Sequence, residues 1–435
     1  MKTALSALGR RTAPPAISWL MKTALAQPKL ISLAAGFTDN ATLPVEFSRG
    51  LLNEILRSPK TGRPALQYGT TAGEEPLRRL TAAHLQKLDG GHDRAHAPER
   101  TIITGGSQQF LYMTLEALCD EGDVVLVEDP TYFVFLSILQ SRGIRAQGVK
   151  LERNGIDVSH LKTVLERLAK SGKIRRLKAL YLVTYFQNPT GATTTLAKKR
   201  AVLKLLKKFE RAAGHPIYLI EDAAYRELAF GGDAALRRPR SAQRADPTAP
   251  PTALTLPGAK ARLIYAGTYS KPFATGVRVG FGILPEPVYT AVLRIKGNHD
   301  FGTASLLQHL LARALASGIY DRQVTKARKN YARKAAVMRR AMAEHFPATV
   351  EIWEAGGGLY FWARLPKGIS AGVGSKIFQA ALKNDVLYVP GELCYAEDSS
   401  RRKPTNEMRI SFGNASAEDI RAGIARLGAV LRKFI

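Results

Sequence analysis

Tyr265-Ala266-Gly267-Thr268-Tyr269-Ser270-Lys271-Pro272-Phe273-Ala274-Thr275-Gly276-Val277-Arg278 is the stretch on which the reading of this chain turns. The apolar run Leu263 to Ala266 predicts a short buried strand bounded by small residues. Lys271 follows it, flanked by hydroxyls, with Gly276 and Arg278 just beyond. Ligands of open α/β sheets bind beyond the carboxyl ends of the strands, and Lys271 falls there. A lysine beside hydroxyls and a second cation suits a Schiff-base nucleophile with a phosphate anchored nearby. An exposed loop lysine in a basic chain has the same local sequence. The stretch alone leaves both readings open.

The 435 residues are enough for a large core and two domains. Hydrophobic residues make up 45% and charged residues 23%, as in an ordinary globular protein. The charge is less ordinary, with 64 Lys+Arg against 36 Asp+Glu, a net +28. Such a balance suits a nucleic acid or membrane-surface partner, or simply a basic solvated surface. The basic residues are spread over many segments, which favours the solvated surface. Cys119 and Cys394, far apart and in apolar surroundings, imply a reducing compartment and no disulfide framework. A cytoplasmic location is therefore expected. No apolar run approaches membrane-spanning length. The first 38 residues carry Lys2, Arg10, Arg11, Lys22 and Lys29 but no acid, as a transit peptide does. Ser18 to Leu25 reads instead as part of an amphipathic arm.

Along the chain, residues 1–45 are expected to form an N-terminal arm. Gly36 marks a turn where backbone comes close to something. Residues 46–290 alternate strands and helices. Thr101-Ile102-Ile103 leads to Gly105-Gly106-Ser107-Gln108-Gln109, and Val124 to Val127 leads to Asp129-Pro130-Thr131-Tyr132. Ala179 to Val183 leads to Gln187-Asn188-Pro189-Thr190-Gly191, and Ile217 to Ile220 leads to Glu221-Asp222-Ala223-Ala224-Tyr225. This rhythm predicts an α/β fold with a mostly parallel sheet and helices on both faces. The Pro/Ala/Arg-rich segment between Gly231 and Lys260 reads as a long surface loop. Residues 291–435 predict a smaller α+β domain, with a long basic helix from about Tyr320 to His345. Strands are expected at Gly356 to Trp362, Val386 to Val389 and Met408 to Phe412.

Each polar candidate falls just beyond a predicted strand. Gly106-Ser107 opens a helix, and free N–H groups there bind phosphate. Tyr132 suits stacking on a planar ring, or a place in the core. Asn188 sits in a turn fixed by Pro189 and Gly191. Asp222 ends an apolar strand, where a carboxylate is costly unless paired or capping a helix. Arg409, between Met408 and Ile410, wants an anion, from a ligand or from within the fold. No Walker-type loop or His-Glu-x-x-His is present. His92 and His96 lack convincing metal partners, so no metal site is expected. No nucleic-acid motif accompanies the basic helices.

Together these motifs, in this order and over nearly the whole chain from Ile31 onward, resemble the class I/II aminotransferases, pyridoxal-phosphate enzymes of fold type I. The likeness is nearest to the 2-aminoadipate and kynurenine aminotransferase branch, also found as the C-terminal part of some transcription regulators. It implies a seven-stranded-type sheet in a large domain, a smaller C-terminal domain, and an enzyme of amino acid metabolism and biosynthesis. The implied activity moves an amino group between an α-amino acid and a 2-oxo acid such as 2-oxoglutarate. Lys271 would carry pyridoxal 5'-phosphate as a Schiff base and move the proton. Asp222 would pair with the pyridinium nitrogen, and Asn188 and Tyr225 with the ring hydroxyl. Tyr132 would stack on the ring. Gly106, Ser107, Gln108, Thr268, Ser270 and Arg278 would hold the phosphate. Arg409 would clamp the substrate α-carboxylate with Asn188 assisting, beside Gly36. Tyr68 would reach the phosphate of a neighbouring subunit, implying a homodimer with shared sites. Thr268 stands where many relatives have serine, and Thr275 where they have proline, which leaves the substrate open. A lyase, decarboxylase or oxidase on the same scaffold is the alternative. The effector part of a regulator is a further one, although the sequence before Ile31 has no room for a DNA-binding domain.

Overall fold

The computed structural model describes residues 4–91, 96–231, 250–398 and 401–435. In chain order the strands are β1 (Ile31–Ser32), β2 (Thr101–Thr104), β3 (Val124–Asp129), β4 (Arg145–Glu152), β5 (Gly155–Ile156), β6 (Leu177–Val183), β7 (Tyr218–Asp222), β8 (Leu263–Thr268), β9 (Gly280–Ile283), β10 (Glu351–Trp353), β11 (Tyr360–Arg364), β12 (Val386–Leu387), β13 (Val389–Pro390) and β14 (Glu407–Ser411).

An eight-stranded sheet has the order β2-β9-β8-β7-β6-β3-β4-β5. Strands β8, β7, β6, β3 and β4 run parallel, and β9 lies antiparallel between β8 and β2. Two-residue β5 pairs antiparallel at the edge, adding an eighth strand to the seven expected. The central strands are buried along almost their whole length, as strands covered by helices on both faces must be. The carboxyl ends of β2, β3, β6, β7 and β8 all reach the same edge. Between β3 and β6 the strand order reverses, because the chain goes out to β4 and β5 and comes back through the helix Val158–Lys170. That reversal leaves a crevice at the strand ends.

Besides β5, two strands of this sheet were not foreseen. β9 reads Gly-Phe-Gly-Ile, and its glycines suppress the strand signal. They are needed because a Cβ on Gly280 would stand 2.4 Å from the Ser107 backbone nitrogen. β4 is an outer strand of mixed polarity and lacks an apolar run.

A four-stranded antiparallel sheet, β10-β11-β14-β13, is built from the C-terminal part of the chain. The run Val386 to Val389 is not one strand. It divides at buried Tyr388, with β12 pairing parallel to β1 of the arm and β13 pairing with β14. The Ser411 N–H also donates to the Leu33 carbonyl at 2.7 Å, so the arm is sewn to this sheet. The arm helix Ala16–Ala26 and the long helix Ile319–His345 lie close to the expected positions.

Most of the predicted 231–260 loop, at 232–249, lies outside the described residues, as does His92. The following segment is not the surface loop expected. Thr252 and Ala253 are fully buried, and their Oγ1 and N–H donate to Glu221 at 3.0 and 2.9 Å. Lys199 reaches the other oxygen at 2.6 Å. A buried carboxylate draws in donors wherever the chain can supply them. His96 is likewise buried, against Asp89 at 2.6 Å.

Candidate active site

The crevice at the strand ends is a cavity of about 250 Å3. Gly36, Ser107, Gln108, Tyr132, Asn188, Asp222, Tyr225, Thr268, Ser270, Lys271, Arg278 and Arg409 all line it. Residues more than 370 positions apart in sequence thus meet: most lie at or beyond strand ends of the eight-stranded sheet, Arg409 lies on β14 of the smaller sheet, and Gly36 belongs to the arm.

Lys271 leaves β8 through a turn in which the Ser270 N–H donates to Thr268 Oγ1 at 3.1 Å. Its Nζ donates to the Gly36 carbonyl at 2.8 Å. Among the described residues no carboxylate pairs with it. Burial, with Arg278 and Arg409 adding repulsion, pushes the amine down to about 8. The amine is thereby neutral in an appreciable fraction of molecules near neutral pH, the state a nucleophile requires.

Asp222 ends β7. Tyr181 Oη donates to its Oδ2 at 2.7 Å and the Ala224 N–H to its Oδ1 at 3.1 Å. The second bond closes a local turn; no helix starts at Asp222, so the helix-capping alternative does not hold. Burial pushes the carboxyl up to about 6, against the pull of these two donors. A cation placed beside it would relieve that cost.

Arg409, on β14, is 1% exposed. Its Nη1 donates to Asn188 Oδ1 at 2.7 Å and its Nη2 to the Ala34 carbonyl. The guanidinium lies 4.4 Å from the Tyr360 ring centroid and 5.3 Å from that of Phe133. Nε is buried without an acceptor, and among the described residues no carboxylate pairs with this arginine. An internal ion pair is thereby ruled out for the described residues. An orphaned donor of this kind is costly unless an anion completes it.

Gly106 has φ +87 and ψ 161, a conformation reserved for glycine, and precedes the helix Ser107–Leu118 without capping it. The start of this helix, at Ser107 and Gln108, borders the cavity together with Thr268, Ser270 and Arg278. That donor set suits a phosphate. Gly36 has no room for a side chain, since a Cβ there would stand 2.6 Å from Tyr360 Oη. Of the expected residues, Gly106 stands just behind the lining and Tyr68 lies away from it. Tyr68 is 83% exposed and edge-on to Phe301 at 5.6 Å.

Residues 28–427 match the family model for aminotransferase class I and II. The chain belongs to that family. It is 31% identical over 409 residues to the 2-aminoadipate transaminase of Thermus thermophilus, covering 94% of this chain and 92% of the relative. The crystal structure of Pyrococcus horikoshii kynurenine aminotransferase superposes with a TM-score of 0.85 at 29% identity, covering 99% of this chain and 97% of that one. The Thermus thermophilus α-aminoadipate aminotransferase, solved with N-(5'-phosphopyridoxyl)-L-leucine, gives 0.81 at 29% identity, with 99% and 98% covered. The enzyme is thus a pyridoxal-phosphate-dependent aminotransferase of fold type I, exchanging an amino group between amino acids and 2-oxo acids. The lyase, decarboxylase or oxidase alternative is not favoured. The cavity of this aminotransferase fits the cofactor through four independent features: the depressed amine, the lone raised carboxyl, the uncapped helix N-terminus and the arginine with an unmet donor.

Tyr360, Phe133, Phe37 and Tyr181 are among the lining or supporting residues that escaped the sequence reading. Tyr181 stacks on Phe135 at 3.6 Å and holds Asp222. Tyr360 Oη lies 2.9 Å from Tyr225 Oη. Its only sequence signal was the glycine run Gly356 to Gly358, which marks close approach of backbone but not what approaches.

Proposed function

We propose that in this aminotransferase Lys271 Nζ binds the cofactor aldehyde and afterwards carries the proton removed from the substrate Cα. The observation that carries this reading is a buried, carboxylate-free amine pushed down to about 8 in the same cavity as an unpaired carboxyl pushed up to about 6. The cofactor, when bound, supplies an electron-accepting ring for the carbanion formed at Cα. Asp222 holds the ring nitrogen protonated. Tyr225 and Asn188 donate to the ring hydroxyl, and Tyr132 covers the ring face. Ser107, Gln108, Thr268, Ser270, Arg278 and the helix start after Gly106 bind the phosphate. Arg409 would hold the α-carboxylate of the amino acid, and Lys271 Nζ, in the same cavity, would take the proton from Cα. Gly36 closes the substrate side with backbone alone.

Borohydride reduction of the cofactor-loaded protein followed by peptide mapping tests the assignment. The adduct is expected on Lys271, and an adduct on another lysine removes the reading. Single turnover with the best amino donor should then leave the pyridoxamine form and one 2-oxo acid, with 2-oxoglutarate as the first acceptor to try.

The same reading includes an arm over 1–45, a large domain over 46–290 and a small domain over 291–435. It includes a homodimer in which Tyr68 serves the partner's phosphate. Supporting this, Leu56, Leu66, Tyr68 and Phe301 are all exposed, although large apolar side chains seldom crowd a free surface. A cytoplasmic setting fits two buried free cysteines. No helix among the described residues is long and apolar enough to cross a membrane.

A further inference from the structure

Tyr360 starts β11 of the small sheet, yet its phenol reaches across to the large sheet's side of the cavity. Its Oη is 2.9 Å from Tyr225 Oη, and the two rings meet edge to face at 5.6 Å. Both rings are buried, at 1% and 5% exposure. Among the described residues Tyr225 is the sole hydrogen-bond partner of the Tyr360 hydroxyl. The backbone of Gly36 closes the opposite side, where even a Cβ would stand 2.6 Å from this oxygen. The Arg409 guanidinium lies over the Tyr360 ring at 4.4 Å.

Each phenol has one proton to give. If Tyr225 gives its proton to the ring hydroxyl of the cofactor, it can only accept from Tyr360. The cation over the Tyr360 ring draws electron density from the phenol and makes its O–H the better donor. A donor that itself accepts a hydrogen bond is strengthened in turn.

We propose that Tyr360 is a positioning residue: its phenol donates to Tyr225, which aims the Tyr225 proton at the cofactor's ring hydroxyl and strengthens that bond. This rests on the placement of Tyr225 against the ring hydroxyl in the proposed function. The consequence is electronic. A stronger donor to the ring oxygen stabilises its anionic form, so the bound cofactor loses its proton at lower pH. The other charged or titratable groups around the pair are Arg409 from β14, Lys271 and Arg278 after β8, Asp222 at the end of β7, Tyr132 after β3 and Tyr331 from the helix Ile319–His345. None of them is altered by removing the Tyr360 hydroxyl.

The test is the pH titration of the visible absorption of the holoenzyme. Tyr360→Phe keeps the ring beneath Arg409 and removes one oxygen. Its midpoint should rise by about half a pH unit, a fraction of one hydrogen bond. Tyr225→Phe should raise it by about one unit or more. In the Tyr225→Phe background, Tyr360→Phe should add nothing, because the bond it acts through is gone. A merely structural role for Tyr360 would leave the midpoint in place or shift it equally in both backgrounds, and either result overturns the proposal. If the wild-type holoenzyme shows no titrating absorption and no borohydride adduct on Lys271, the parent reading falls and this one with it.

Discussion

Lys271 and Asp222 are displaced in opposite directions by the same burial, and each displacement costs the cofactor-free fold something. For Lys271, lowered from 10.5 to about 8, the unfolded chain holds a proton between those values that the folded chain has released. Its contribution to stability therefore rises with pH across that window and is unfavourable below it. For Asp222, raised from 3.8 to about 6, the folded chain holds the extra proton, so stability falls as pH rises through that window and stays lower above it. Two outcomes follow. Capture of pyridoxal phosphate by the cofactor-free protein, followed by stopped-flow absorbance, should speed up with pH and level off above about 8, where the amine is already neutral. Asp222→Asn should make the cofactor-free protein more stable to urea at pH 8, by up to about 3 kcal/mol, while weakening cofactor binding about 100-fold or more. Equal urea midpoints for the two proteins would contradict the raised carboxyl. Arg409→Lys loses bidentate geometry rather than charge. It should keep its cofactor but lose about 2–4 kcal/mol, roughly 30- to 1000-fold in kcat/KM, toward amino acids. Amines without a carboxylate should suffer less, and equal losses for both would deny the clamp. All three residues were legible in the sequence because each sits next to an apolar strand, where an ionisable group is anomalous. Tyr181 and Tyr360 were not, since a tyrosine in a strand looks like core until its hydroxyl's partner is known.

At the scale of elements, β2, β8 and β9 and the helix Ser107–Leu118 together carry the donors proposed to hold the phosphate. Gly280 on β9 lets the strand touch the start of that helix, and Gly106 adopts the backbone that leads into it. Gly106→Ala should cost about 1–3 kcal/mol in strain. The new Cβ would also stand 3.0 Å from Arg278 Nη2. Phosphate, competing with the cofactor in a fluorescence titration, should then bind about tenfold more weakly, and a Kd unchanged by the substitution would show that the helix start does not hold the anion. Of these elements, the helix and β8 were readable from apolar runs and a glycine pair. β9 was not, because the glycines that close packing demands are the residues that erase a strand's signature. The split of Val386 to Val389 between two sheets was equally hidden, since continuous apolarity says that a segment is buried but not with whom it pairs.

At the scale of the molecule, the exposed Tyr68 and Phe301 separate two architectures. Chains carrying Lys271→Ala mixed with chains carrying Tyr68→Phe should regain activity if Tyr68 completes the partner's site, because a mixed dimer holds one doubly damaged site and one intact site. No recovery, or a fully active monomer by sedimentation, would exclude shared sites. Sequence alone suggested Tyr68 only through family resemblance, and its solvent exposure in a single chain is what a residue reserved for another subunit looks like. The net +28 found no such explanation in the fold. The division of labour between the two sheets has a further result. Lys271, Asp222 and Asn188 follow strands of the eight-stranded sheet, whereas Arg409 and Tyr360 belong to the four-stranded one, to which the arm bearing Gly36 is sewn. An amino acid held by its carboxylate at Arg409 and by its nitrogen above Lys271 is therefore a removable cross-link between the two sheets. An amine that lacks the carboxylate ties down only one end, so the mechanical coupling of the two halves depends on which molecule is bound.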